Sequence, residues 1–133
     1  MKKLMLTTVS LVALALAGCS DPEPYDQTHN GTLEDSDPRV EQDNSPYDEY
    51  TFDAGEGWTI TAEMRSDAFD TYLWLIGPGG NSLMQDDDGL GEGTNSRITY
   101  TAPERGTYTV RCNSYDGQGR GAYTVHVTAR PAN

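Results

Sequence analysis

The sequence predicts an all-β fold, an antiparallel sandwich or barrel, on three observations. From Pro46 onward, short runs of alternating apolar and polar residues follow one another. Each run is bounded by a cluster of Gly, Pro, Asn or Asp, the residues that build turns. No segment beyond the first twenty residues keeps the spacing of an amphipathic helix.

The runs justify themselves in order. Tyr47 to Asp53 alternates with Tyr50 and Phe52 on one side, and Gly55-Glu56-Gly57 turns the chain. Trp58, Ile60, Ala62 and Met64 then share one face, with Thr59, Thr61 and Glu63 on the other, the period of two that marks a half-buried strand. Thr71 to Ile76 is apolar on both sides and should therefore be central, with Leu73 and Leu75 opposite Tyr72 and Trp74. Gly77-Pro78-Gly79-Gly80-Asn81 forces a turn before a short run, Ser82 to Gln85. An acidic loop, Asp86 to Asn95, leads to a strand beginning near Ile98 and Tyr100, which Pro103-Glu104-Arg105-Gly106 closes. The last two runs set Tyr108, Val110 and Cys112, then Tyr123, Val125 and Val127, inward. About seven to eight strands are expected, with Cys112 a small core side chain.

The chain opens with Met1-Lys2-Lys3 and an apolar stretch from Leu4 to Ala17, the order of parts in a secretory signal. A membrane span needs roughly 20 apolar residues, and this run is shorter and interrupted by Thr7, Thr8 and Ser10. Leu16-Ala17-Gly18-Cys19 resembles the bacterial lipobox, which implies that residues 1–18 are removed and that the Cys19 thiol carries a diacylglycerol. Each buried methylene contributes about 0.8 kcal/mol and one chain holds only marginally, so two or three acyl chains make a durable membrane anchor. Ser20, not Asp, follows the cysteine; by similarity to enteric sorting this implies the outer membrane in a Gram-negative host, and the cell envelope in any host.

Residues 19–45 read as an acidic, flexible, extended tether that lifts residues 46–133 from the membrane. Only Tyr25, Leu33 and Val40 there are sizeable apolar groups, too few to offset the entropy of ordering. Glu41, Asp43 and Asn44 are the positions from which such a tether would fold back to help bind a cation.

Loss of the leader removes both lysines. Of the 9 basic residues, seven arginines are left against 21 acids, a formal charge of −14. Nucleic acid is excluded as a partner by long-range repulsion, and cations are favoured. With Cys19 acylated, Cys112 has no intramolecular partner, so the domain depends on its core rather than on a disulfide.

Several features in order make residues Tyr47 to Val127 similar to the bacterial pre-peptidase C-terminal domain. They are Phe52-x-Ala54-Gly55-Glu56, Phe69-Asp70-Thr71-Tyr72-Leu73-Trp74-Leu75, Asp86-Asp87-Asp88-Gly89, Ser96-Arg97-Ile98, and the paired closers Gly106-Thr107-Tyr108-Thr109-Val110 and Gly121-Ala122-Tyr123-Thr124-Val125. The resemblance implies a jelly-roll-like β-sandwich that accompanies secreted peptidases as an accessory for surface binding, secretion or stability. No peptidase is attached to it in this sequence.

Asp86, Asp87 and Asp88, with Asp70 ahead of the central strand, are the candidate metal ligands. Calcium takes six to eight oxygen ligands from carboxylates and carbonyls. The spacing does not fit an EF-hand loop, and the alternatives are a solvated acidic turn and, for Asp70, an Asx-type turn. Tyr72 and Trp74 form either an aromatic platform for a ligand or a face covered by a second sheet or the tether. Catalysis is not expected: His29 falls in the tether, His126 projects from a strand, and Cys112 points inward where a thiol is inert. The expected function is a non-enzymatic, surface-anchored binding or accessory module, calcium-stabilised, for an extracellular polymer or envelope protein. The alternative is a structural envelope lipoprotein acting through protein contacts alone.

Overall fold

The computed structural model describes residues 21–132, so the leader and Cys19 lie outside the described residues. Eight strands follow in order: β1 (Tyr25–Leu33), β2 (Asp48–Ala54), β3 (Thr59–Arg65), β4 (Thr71–Ile76), β5 (Ser82–Asp86), β6 (Ser96–Thr101), β7 (Gly106–Ser114) and β8 (Gly121–Arg130). They form two four-stranded antiparallel sheets, β1-β8-β3-β6 and β2-β7-β4-β5. β1 pairs with β8, β2 with β7, β3 with β6 and β4 with β5. One long eight-strand hairpin has thus been rolled on itself, which is the jelly roll.

The alternation read in the sequence closes this roll. Ile60, Ala62 and Met64 of β3, Leu73 and Leu75 of β4, Ile98 of β6, Val110 and Cys112 of β7, and Val125 and Val127 of β8 are fully buried between the sheets. β4, apolar on both sides, is flanked by β7 and β5 as its composition requires. The Cys112 thiol is free and buried, and burial raises its pKa well above the ordinary value, which keeps it protonated and unreactive.

The tether expected over residues 19–45 is corrected by the fold. Tyr25–Leu33 is an ordered nine-residue strand in register with β8 from Tyr25↔Ala129 to Leu33↔Gly121. Composition misled because an edge strand needs few apolar groups: its backbone hydrogen bonds are supplied by the open edge of β8, and every fourth side chain is enough to seat it. Tyr25 stacks on Phe52 at 5.3 Å, His29 stacks on Tyr50 at 4.2 Å, and Leu33 is buried. Residues 34–47 are also built, as a connection from one sheet to the other. Val40 is buried, its N–H donates to the Ser45 carbonyl at 2.8 Å, and Arg39 bridges to Pro46. Asp43 Oδ1 accepts from both the N–H and the hydroxyl of Ser45, at 3.0 and 2.6 Å, so this carboxylate caps a turn.

Gly31 is the point at which β1 meets the second sheet. A Cβ there would fall 2.7 Å from the Tyr50 hydroxyl and closer still to that of Tyr123, so any side chain drives β1 off these rings. Gly31→Ala should therefore cost about 1–3 kcal/mol, the usual range for overpacking. The check is the urea midpoint of the soluble fragment; an unchanged midpoint would show that β1 does not seat as described.

Candidate functional site

Rolling the hairpin brings four connections to one end of the sandwich: the β1–β2 connection, the segment before β4, the β5–β6 loop and the β7–β8 turn. All four sequence-predicted ligands, Asp70 and Asp86–Asp88, lie at this end, but Asp70 is not in the close group that the other three form. One oxygen each from Asp86, Asp87 and Asp88 lies within 4.8 Å of the others. Asp70 enters from the β4 side, its backbone carbonyl accepting from Tyr115 N–H at 2.8 Å. Burial raises the Asp70 pKa, and the charges of Asp87, Asp116 and Asp88 raise it further. Asp70 Oδ1 is buried with no hydrogen-bond partner, so no backbone donor satisfies it in the manner of an Asx turn.

Asp86 differs from its neighbours. Its Oδ2 accepts from Gly89 N–H at 2.7 Å and from Arg97 N–H at 2.8 Å, which closes the loop on β6. Below it, the buried hydroxyls of Thr71 and Ser96 share a 2.5 Å hydrogen bond, and Ser96 Oγ donates to the Asp87 carbonyl at 2.9 Å. The loop carrying the carboxylates is therefore fastened at its base. Asp116, which the sequence reading missed, reaches this end because β7 and β4 are neighbours. Its only signal in sequence is an Asp-Gly pair in the last turn. The residues present suit a hard cation: three grouped carboxylates on a loop whose backbone is already held, and at the same end a fourth, Asp70, with one buried oxygen that has no partner. Glu41 and Asn44 are exposed on the β1–β2 connection, and Asp43 is committed to Ser45.

Tyr72 and Trp74 lie on the outer face of the second sheet, half-buried and not roofed by either the other sheet or a tether. The register places Glu49, Arg111, Trp74 and Gln85 in one row across β2, β7, β4 and β5. The Arg111 guanidinium sits over the Tyr47 ring at 4.2 Å and the Trp74 ring at 5.3 Å, held by Glu49 at 2.8 Å. Tyr72 makes edge contacts with Trp74 and with the exposed Tyr115, and donates to Gln85 Oε1 at 2.6 Å. The strip is continuous with the acidic end through Tyr72, whose phenol pKa is raised by burial and by Asp87. The β1–β2 connection covers the neighbouring Asn113, which donates to Ser45 Oγ and to the Pro46 carbonyl, and its last residue, Tyr47, lies against Arg111. Tyr47 and Arg111 were not foreseen, since cross-strand stacking depends on register that sequence alone does not give.

The family model of the bacterial pre-peptidase C-terminal domain matches residues 46–114. The chain belongs to the pre-peptidase C-terminal domain family. Among solved structures, the fold is similar to the pre-peptidase C-terminal domain of a collagenase from Bacillus anthracis, with a TM-score of 0.57 and 19% identity over 77% of this chain and 88% of that one. It is also similar to PliG of Aeromonas hydrophila, a periplasmic inhibitor of g-type lysozyme, with a TM-score of 0.55 and 13% identity over 80% of this chain and 86% of that one. No curated protein matches the chain. The stretch matched by the pre-peptidase C-terminal family holds β2 to β7, the acidic loop and the aromatic strip apart from Tyr115; β1 and β8, which complete the roll, lie outside it.

In this member of the pre-peptidase C-terminal family the two histidines are engaged by a tyrosine and an aspartate. His29 Nε2 meets the Tyr25 hydroxyl at 3.0 Å, and His126 Nε2 meets Asp26 at 2.8 Å on the opposite face of the sheet. Among the described residues no serine or cysteine is hydrogen-bonded to either ring. A groove of about 720 Å³ beside β8, lined by Asn30, Arg65, Ser66, Asn95 and Tyr123, contains no such pair.

A second polar cluster joins the sheets at the same end. Tyr123 donates to Asp48 Oδ2 at 2.6 Å and meets the Tyr50 hydroxyl at 2.7 Å. Burial raises the Asp48 pKa against the lowering effect of the Tyr123 hydrogen bond, and the nearby Asp37 and Glu34 carboxyls raise it further. In the window between the ordinary value of 3.8 and this raised value the native state holds more protons than the unfolded one, so stability falls as pH rises through it. Asp48→Asn should flatten that part of the stability–pH curve in metal-free buffer. Urea midpoints of the two proteins between about pH 4 and neutrality measure it; parallel curves would refute the assignment.

Proposed function

We propose that this protein is a lipid-anchored, extracytoplasmic, non-catalytic binding module of the cell envelope, held by diacylglycerol on Cys19 and placed in the outer membrane of a Gram-negative host. Membership of the pre-peptidase C-terminal family supports an accessory role, and the lack of a serine or cysteine hydrogen-bonded to either histidine among the described residues supports a role without catalysis. The leader ending in Leu16-Ala17-Gly18-Cys19 supports the anchor.

The observation that carries the functional part is the close grouping of Asp86, Asp87 and Asp88, with a buried, unpartnered Asp70 oxygen at the same end of the sandwich and under the influence of the Asp87 and Asp88 charges. Calcium would be held there by Asp70, Asp87, Asp88 and the remaining oxygen of Asp86. It would neutralise the repulsion among these groups and tie β4 to the β5–β6 loop. Calcium at about 100 times its dissociation constant stabilises a folded site by about 2.7 kcal/mol, enough to raise the melting temperature by several degrees. Asp70→Asn should melt higher than the parent in chelator, because one repelling charge is gone, and should gain little from calcium. A parent midpoint that is the same in calcium and in chelator would remove the metal from the function.

The ligand surface is the strip of Tyr47, Trp74, Tyr72 and Tyr115, whose rings offer broad contact at small entropic cost. With a net charge of −12 on the whole sequence, uncharged polymers and basic envelope proteins fit it and polyanions do not. Trp74→Ala should reduce depletion of the protein by chitin, collagen or peptidoglycan at least several-fold. Equal depletion of parent and variant by every polymer would leave the second reading, an envelope protein acting through protein contacts elsewhere on its surface.

A further inference from the structure

The direction of β1 fixes which end of the sandwich faces the membrane. The strands alternate in direction around the roll, so the loops divide into two sets. The end at which β1 starts, the near end, holds residues 21–24 and the turns 55–58, 77–81 and 102–105. The far end holds 34–47, 66–70, 87–95 and 115–120, including the acidic loop and Asp70.

We infer that the protein lies with its near end against the lipid surface, with its acidic end directed away, and that no spacer separates the domain from the bilayer. This rests on the anchoring of Cys19 proposed above. Two independent observations support it.

The first is reach. Asp21 already packs on the near end, its Oδ1 being 3.2 Å from where a Cβ on Gly55 would stand, and Pro22 lies in a small depression with Asp53 and Arg105. Cys19 is two residues before Asp21, and an extended chain spans at most about 3.3–3.6 Å per residue, so only about 7 Å of backbone separates anchor from fold. The tether that the composition suggested has been used up as β1.

The second is charge. The far-end loops contain eleven carboxylates and two arginines, the near-end loops four carboxylates and one arginine. The near end also presents the uncharged Gly77–Asn81 turn. At physiological salt the screening length is about 8 Å, whereas β8, with ten residues at about 3.3 Å each, sets the ends roughly 30 Å apart. Phosphate headgroups therefore repel the far end strongly if it is turned toward them and hardly at all if it points outward. Reach and charge select the same orientation.

The consequence is functional. The acidic end and the upper part of the aromatic strip face the aqueous compartment, where a cation or a bulky partner has access, and the near end is masked by lipid.

The test uses the full, lipidated chain in vesicles of phosphatidylcholine and phosphatidylglycerol with an energy acceptor on the headgroups. A donor dye is placed at Gly79→Cys, where a Cβ meets nothing within 4 Å, or at the exposed far-end Gln118→Cys. Cys112 is fully buried and stays unlabelled in the folded protein. Transfer from position 79 should exceed that from position 118 several-fold, and inserting twenty Gly/Ser residues between Ser20 and Asp21 should bring the two together. A membrane-bound protein with equal transfer from both positions, or stronger transfer from 118, overturns the orientation alone. A chain that fractionates as soluble from its own cells, or whose fractionation is unchanged by Cys19→Ser, overturns the anchor and the orientation with it.

Discussion

The pairing of β1 with β8 is the constraint on which the arrangement of this molecule depends. In a rolled hairpin of eight strands the first and last must meet, and here they do so along the whole length of β1. Without that pairing β8 is an open edge and the first sheet has three strands, leaving Phe52 and Tyr50 without the rings of Tyr25 and His29 that stack on them. The pairing is guarded at one point, Gly31, where the hydroxyls of Tyr50 and Tyr123 reach the β1 backbone and leave room for hydrogen only. That contact links both sheets and, through Tyr123, reaches Asp48.

Six of the eight strands were legible because each offers the core at least two apolar side chains at a spacing of two, and β5, which turns only Leu83 to the core, was legible from the glycine-rich turn before it. β3 is the clearest case, with Ile60, Ala62 and Met64 buried and Thr59, Thr61 and Glu63 facing out. β1 was not, because its inward row is Tyr25, Gln27, His29, Gly31 and Leu33, a set whose polarity hides its period. It folds on backbone pairing supplied by another strand, and no local signal announces that another strand has an edge to fill. The candidate metal ligands were legible for a related reason in reverse: three adjacent aspartates and a fourth before a strand are visible without topology, whereas Asp116 joins them only through strand order. Cross-strand rows such as Glu49–Arg111–Trp74–Gln85 require register, which a one-residue slip would invert.

Two carboxylates that look alike in sequence have different duties. Asp86 spends one oxygen on two backbone donors and shapes its loop, while Asp70 has an oxygen that meets nothing. Removing the first would loosen the loop, and removing the second would relieve repulsion. The same contrast separates Asp43, which caps the turn at Ser45, from the exposed Glu41 beside it. A residue's place in an acidic run therefore says less than the number of donors each of its oxygens finds.

An acidic turn that served only solubility would have no reason to be fastened. Like charges on a free loop spread apart, and in water at about 4 Å the repulsion between two of them is near 1 kcal/mol, rising several-fold where solvent is partly excluded. Here Thr71, Ser96 and the Asp86 carboxylate hold the loop base in place, and the burial of Asp70 raises the cost of its charge, so the repulsion cannot relax by loop movement. A frame that keeps carboxylates together has already borne the ordering cost that a cation would otherwise have to meet on binding. The carboxylates of the far end are thereby held close together by a loop that the two sheets fasten at its base.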